Sequence, residues 1–280
     1  MTSLPQARRF DWTNFAIRAA SAAVLIPGVL LIVWFSRPLF LVMMAIATAI
    51  LSLEWGKMSA SRAPIRVATV VTVAVLAVGF LAYLRHDMWA GAALALGALA
   101  AALLARGVSE RPGDAAYGVI YLSPAMYSLI WLHAVPDGNK WVVMAFCITW
   151  AADSAAFAVG SLFKGPKLWP RLSPNKTWSG FFGGLVGAMA TAVAFVLLFN
   201  VQLTWWGAAL VGLFGGLATM AGDLWESLLK RRFGVKDSGD LIPGHGGLLD
   251  RVDGLMFAVV VVAITRLAHD FGLTHLWGLS

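Results

Sequence analysis

Nine apolar runs, separated by short polar breaks, divide the chain. They lie near 19–35, 39–55, 67–84, 88–105, 115–133, 141–163, 180–199, 203–229 and 252–271. Most have the roughly 17 to 25 residues that a helix needs to cross a bilayer. Sustained apolarity of that length means helix, because lipid offers no partner to open backbone groups. The pattern therefore predicts an all-α polytopic integral membrane protein with about nine transmembrane helices. A cleaved signal peptide competes for the first run, which follows Arg8, Arg9 and Arg18. An uncleaved span is preferred, since further spans follow directly and no clear small-x-small site follows the run. The glycines and alanines of 91–105 suit close helix packing, as do Gly180, Gly183, Gly184 and Gly187 at three- and four-residue spacing. We divide the chain into a supporting set of helices, 1–110, and a C-terminal region, 111–280, that holds two polar loops at 164–178 and 230–251.

Composition agrees with this picture. The chain is 60% hydrophobic and 12% charged, against about 25% charged in soluble domains. Its single cysteine, Cys147, excludes an intrachain disulfide and reads as a small buried residue of a helix. The thirteen tryptophans mostly flank the runs, as in an interfacial belt. The net charge of +7 does not require a nucleic-acid partner, and none is expected. Basic residues of a membrane protein set topology and meet anionic headgroups. With nine spans and a cytoplasmic N-terminus, 17 of the 21 Lys and Arg fall on one side and 4 on the other. That bias puts both polar loops, and any site they form, on the cytoplasmic side.

Charge is concentrated in 222–254. This window holds six of the fourteen acids, Asp223, Glu226, Asp237, Asp240, Asp250 and Asp253, interleaved with Lys230, Arg231, Arg232, Lys236 and Arg251. Apolar surroundings cannot stabilise such a cluster without partners, metal or water. Asp223, Glu226, Ser227 and Lys230 share one helical face, and Asp250 and Asp253 share another at the start of the last helix. Carboxylates brought together repel unless a proton or cation lies between them. Hard oxygen ligands suit Mg²⁺, which binds through one or two carboxylates plus phosphates. An interhelical salt bridge, such as Asp253 with Arg231, is the competing reading. The turn at 243–247, with His245, Gly246 and Gly247, lets backbone N–H groups approach an anion, although a glycine-rich turn is usually only a turn. His245 on its own reads as a structural hydrogen-bonding residue. Lys230, Arg231, Lys236 and Arg251 suit phosphate. The loop at 164–178 has Lys164, Lys167, Arg171 and Lys176, hydroxyls at Ser173 and Thr177, and no acid. It suits phosphate too, or simply the anionic leaflet. Asp153, within the sixth run, is an intramembrane acid and so a functional candidate.

These residues resemble a known family. Ser227, Lys230, Arg231, Lys236, Asp237, Gly239, Ile242, Pro243, His245, Gly246, Gly247, Asp250, Arg251 and Asp253 look like the signature of the phosphatidate cytidylyltransferases, or CDP-diacylglycerol synthases. The stretch around Asp153 and the segment SPNKTW from Ser173 to Trp178 are similar to the same family. Phe157, Ser161 and Ser179 depart from its pattern, and the N-terminal third agrees only in being apolar. The resemblance implies transfer of a cytidylyl group from CTP to phosphatidic acid, giving CDP-diacylglycerol and pyrophosphate in a bacterial inner membrane. It implies Mg²⁺ as cofactor, with a second cation as a further option, and a homodimer. By matching position, Asp223 and Asp253 would be the principal metal ligands, with Asp250 a ligand or just outside them. Lys230, Arg231, Lys236 and Arg251 would hold phosphates, and Ser173, Lys176 and Thr177 would face a substrate. Asp153, Asp237, His245, Gly246 and Gly247 complete the candidate binding set. Rival readings are a CTP-dependent lipid kinase, a cytidylyltransferase for another lipid phosphate, or an ion transporter. The last fits poorly, because the acids collect at one end of the spans beside basic residues rather than along the membrane depth.

The topology is testable by cysteine tagging. Gly165→Cys and Asp240→Cys should be shielded from an impermeant external reagent in sealed cells, and Gly278→Cys should react. External labelling at position 240 would exclude the arrangement.

Overall fold

A computed structural model describes residues 12–107, 111–170, 172–239 and 246–271. Among the described residues nine helices follow in order: α1 Trp12–Phe35, α2 Arg37–Ser59, α3 Pro64–Tyr83, α4 Asp87–Leu104, α5 Pro112–Ala134, α6 Gly138–Phe163, α7 Trp178–Phe199, α8 Trp205–Phe233 and α9 Leu249–Asp270. Each falls within a few residues of an expected run, apart from a longer N-terminal end on α1. Eight of them, α2 to α9, are long and apolar enough to cross a membrane, and α1 has a shorter apolar part, Ala23–Phe35. The chain is thus an α-helical polytopic membrane protein.

Local chemistry sets the helix ends. Ser36, Thr177 and Thr204 cap α2, α7 and α8 by accepting the N–H of Leu39, Gly180 and Gly207. Prolines open α3 and α5, where the missing N–H costs nothing. Gly234 ends α8 at a φ of 71°, a left-handed conformation that glycine adopts without penalty.

α5 is the most enclosed helix and packs against α2, α3, α4, α6 and α9. A tryptophan joins it to the N-terminal helices. Trp55 of α2 is fully buried, donates its Nε1–H to the Asp114 carbonyl at 2.9 Å, and meets the ring of Phe233 edge-on. Gly118 makes room for the indole, since a methyl there would lie 2.3 Å from Nε1. α6 and α7 pack through the expected glycine face: added methyls at Gly180, Gly184 and Gly187 would lie 2.6–2.8 Å from atoms of Ala156, Ala152 and Ala155. In α4 the small residues do less than expected. Gly97 meets Ala74, and Ala90, Ala98 and Ala101 are buried, but Leu96, Leu99 and Leu103 face outward.

The segment expected as a loop at 164–178 is a hairpin instead. β1, Lys167–Trp169, pairs antiparallel with β2, Ser173–Thr177, with Lys167 opposite Thr177 and Trp169 opposite Ser173. Pro166, Pro170 and Pro174 hide it from a reading of alternation, but a two-stranded piece leaves proline free positions that a wider sheet does not. The hairpin stands at the end of the bundle between α6 and α7, where α8 ends and α9 begins.

A close backbone approach near that end is between α8 and α9. A methyl at Gly222 would lie 2.3 Å from the Asp253 carbonyl oxygen, and one at Gly254 would lie 2.7 Å from the Thr219 side chain. Both neighbours belong to helices that cannot yield locally. Gly222→Ala should therefore separate the helices and lower stability by about 1 to 3 kcal/mol, the usual cost of overpacking. Gly91→Ala is the control, since nothing lies within 4 Å of its added methyl. It should hold or raise the melting temperature through helix propensity. Equal melting temperatures for Gly222→Ala and the parent would show that this crossing is loose.

Candidate active site

The close crossing sets two carboxyl groups side by side. Asp223 follows Gly222 on α8, and Asp253 precedes Gly254 on α9. Their carboxyl groups line the same cavity and lie within electrostatic reach of each other. Asp253 also accepts the Gly254 N–H at 2.8 Å. From the other side, Lys176 of β2 forms an ion pair with Asp223. The hairpin thus reaches across the end of the bundle to the same point.

A cavity of about 280 Å³ opens here, lined by Lys176, Asp223, Glu226, Ser227, Lys230, Asp237, Asp250, Arg251 and Asp253. Its walls hold five acids and three bases, and the formal excess of two negative charges matches one divalent cation. Among the described residues, no three His, Cys, Asp or Glu side chains form a ready cage. The shared position of Asp223 and Asp253 in this lining nevertheless fits Mg²⁺. This ion is usually held by one or two carboxylates together with phosphates and waters, rather than by a cage of protein ligands.

A second layer supports the first. Lys230 is only 15% exposed and donates to Glu226 Oε2 and Asp250 Oδ1, both at 2.7 Å. The helical spacing that put Glu226 and Lys230 on one face is realised as this bridge. Glu226 is 2% exposed, and its Oε1 has no hydrogen-bond partner. Asp250 spends its other oxygen on the loop, accepting from Ser238 N at 3.0 Å, Ser238 Oγ at 2.9 Å and Gly247 N at 3.1 Å. Asp250 is therefore committed to Lys230 and the loop, unlike Asp223 and Asp253. Farther along α8, Arg232 pairs with Asp114 of α5, and Trp225 donates to the Tyr117 hydroxyl at 2.8 Å.

Of the residues singled out in the sequence, the structure brings Lys176, Asp223, Lys230, Asp237, Asp250, Arg251 and Asp253 to one cavity. Arg231 and Lys236 are exposed outside its lining. Ser173 is half-buried on β2, opposite Trp169. Thr177 is buried, and its hydroxyl caps α7 rather than lining the cavity. Asp153 lies on an open face of α6, within electrostatic reach of Asp223 and Lys176. Gly246 has a φ of 82° and precedes the buried Gly247. His245 lies outside the described residues.

Two acids were passed over as site residues. Glu226 was visible from its spacing to Asp223. Glu54 was visible only as an acid near the end of an apolar run, the signal that already marked Asp153. It is 3% exposed and accepts the backbone N–H groups of Leu248 and Leu249, each at 2.7 Å.

Comparison with known proteins extends the resemblance to almost the whole chain. The model of a family described as the cytidylyltransferase family matches residues 16–268. A Brucella suis protein named phosphatidate cytidylyltransferase is 38% identical over 213 residues, which cover 75% of this chain and 77% of that one. A Staphylococcus epidermidis protein of the same name is 41% identical over 128 residues, 46% of this chain and 49% of its own. A third, from Rickettsia conorii, is 29% identical over 263 residues, or 91% and 92% of the two chains. The family match spans all nine helices, including the N-terminal third that had only apolarity to offer, and on these grounds the chain belongs to the phosphatidate cytidylyltransferase, or CDP-diacylglycerol synthase, family.

Proposed function

We propose that this protein transfers the cytidylyl group of CTP to phosphatidic acid, releasing pyrophosphate and leaving CDP-diacylglycerol in the membrane. The observation that supports this most directly is the meeting of Asp223 and Asp253 at a cavity that also receives Lys176. Family membership makes the reaction a CTP-dependent transfer to a lipid phosphate. The basic bias of the sequence supports a cytoplasmic site, where CTP and Mg²⁺ are present.

In this reaction an oxygen of the lipid phosphate attacks the α-phosphorus of CTP. A new P–O bond forms, and the bond from the α-phosphorus to the bridging oxygen breaks, with its electron pair leaving on pyrophosphate. Both reactants are anions, so the work of the protein is positioning and charge neutralisation. Asp223 and Asp253 would hold Mg²⁺, which when bound neutralises phosphate charge. Lys176 and Arg251 face the cavity and supply positive charge to the phosphates. Lys230 fixes the spacing of α8 and α9 through Glu226 and Asp250. No side chain needs to form a covalent intermediate. The lipid phosphate can enter from the bilayer, since the hairpin and the ends of α6, α8 and α9 sit at one end of the bundle.

The direct test is product analysis: purified protein with labelled CTP, phosphatidic acid and Mg²⁺ should yield lipid-borne cytidine. A phosphorylated lipid without cytidine would make the protein a kinase instead.

Two sets of variants test the site. Asp223→Asn and Asp253→Asn keep shape but remove charge. Turnover should fall roughly a hundred- to a thousandfold, the cost of losing a charge partner at the transition state. Metal-free thermal stability should hold or rise for Asp253→Asn, because a carboxylate contact is relieved. In Asp223→Asn that gain is offset by the lost pair with Lys176. Folded variants with normal turnover and an unchanged Mg²⁺ requirement would remove these residues from the mechanism. Lys176→Ala should lower kcat/KM for CTP about ten- to a hundredfold, as expected for a hydrogen bond to a charged group. It should also tighten Mn²⁺ binding without nucleotide, read by electron paramagnetic resonance, because Asp223 loses its competing cation. Parental values for both would reduce Lys176 to a topology residue.

A further inference from the structure

The start of α9 has no cap of its own. Leu248 occupies the cap position with a helical φ of −66° and no side-chain hydrogen bond. The residues on either side, Gly247 and Leu249, offer no acceptor either. An apolar helix start with open N–H groups is costly away from water. The acceptor comes instead from α2, nearly two hundred positions earlier in the chain. Glu54 Oε1 accepts from Leu248 N and Oε2 from Leu249 N, both at 2.7 Å. The Ser238 hydroxyl lies 3.4 Å from Oε2.

The loop is shaped around this carboxylate. A methyl at Gly239 would lie 3.2 Å from Glu54 Oε1, and one at Gly247 would lie 3.1 Å from its carboxyl carbon and 2.0 Å from Ser238 Oγ. Gly239 and Gly247 thus have a steric reason to be glycine that does not depend on a ligand. The same loop is also held by Asp250, through Ser238 and Gly247. Two acids therefore grip one loop and converge on the Ser238 hydroxyl: Asp250 from the first turn of α9, and Glu54 from α2. Asp253 lies one helical turn beyond the N–H groups that Glu54 holds, so their position sets its position.

We infer that Glu54 is a positioning residue for the candidate active site: its carboxylate caps α9 from α2 and thereby fixes where Asp253 meets Asp223. The anchoring does not depend on the proposed reaction. Only its kinetic consequence rests on that reading.

The test uses the full-length protein in lipid nanodiscs without metal. Glu54→Gln keeps the volume but turns an amide donor toward an N–H. Hydrogen–deuterium exchange over 246–253 should accelerate about tenfold or more, as expected when bonds to a charged acceptor are lost. Exchange in α5 and α7 should stay as in the parent. Leu51→Ala, one turn earlier on α2 and 1% exposed, is the control for simple destabilisation and should not single out that segment. If the reaction reading holds, Glu54→Gln should also lower kcat about ten- to a hundredfold and raise the Mg²⁺ midpoint, with little change in KM for CTP. Glu54→Asp, which is too short to reach both N–H groups, should fall between the variant and the parent. Exchange that rises evenly along the chain, or activity lost only in proportion to folded protein, would overturn the inference. So would failure of both Glu54→Gln and Glu54→Asp to fold, since Glu54 would then serve folding rather than placement. Absence of cytidylyl transfer by the parent would count against the reaction alone and leave the exchange result standing.

Discussion

A carboxylate can sit inside an apolar helical bundle only if something neutralises it, and this constraint organises the end of the molecule where α8 meets α9. The close crossing at Gly222 and Gly254 forces Asp223 and Asp253 together. Placing two acids in contact is unfavourable in itself. The surrounding structure meets the cost with Lys176 from the hairpin, and with a buried lysine bridge one turn along α8.

The positive groups fall into two kinds. Lys230 and Arg232 are tied to buried acids, Lys230 to Glu226 and Asp250, and Arg232 to Asp114. Removing one member of such a pair strands a charge, which makes these contacts structural first. Lys176 differs. It is half-buried, comes from a two-stranded hairpin rather than a packed helix, and faces the cavity. On the proposed function, a phosphate arriving at the cavity would compete for Lys176 at lower cost than for Lys230.

Much of this was legible in the sequence, for reasons that differ by residue. The helices were legible because lipid forbids unpaired backbone, so length and apolarity suffice. Asp223 and Asp253 were legible because a three- or four-residue spacing fixes a helical face before any packing is known. The hairpin was not, because Pro166, Pro170 and Pro174 obscure alternation over so short a span. For Lys230 the sequence shows a charge suited to phosphate but not the buried acids, Glu226 and Asp250, that the structure gives it as partners. Thr177 was read as facing a substrate, although a hydroxyl just before an apolar run also fits an N-cap, which is what it becomes. Glu54 stands out in the sequence only as an acid near the end of an apolar run; its role is not legible, because its partners are backbone N–H groups of a distant segment, and backbone has no sequence signature.

The place of Glu54 bears on why the N-terminal helices belong to the same unit as the site. α2 adds no side chain to the lining of the cavity. It does supply the cap of α9 through Glu54, and the next residue, Trp55, bonds the start of α5 and touches the end of α8. Two adjacent residues of one helix thus hold three helix termini at the same end of the bundle. A hydrogen-bonded carboxylate fixes direction, and a buried indole fixes distance, because its packing resists both gaps and overlap. Metal coordination and in-line displacement tolerate errors of only a fraction of an ångström. A site built where α8 and α9 cross needs its helix ends fixed from outside that crossing, and α2 reaches both, through Glu54 to α9 and Trp55 to α8.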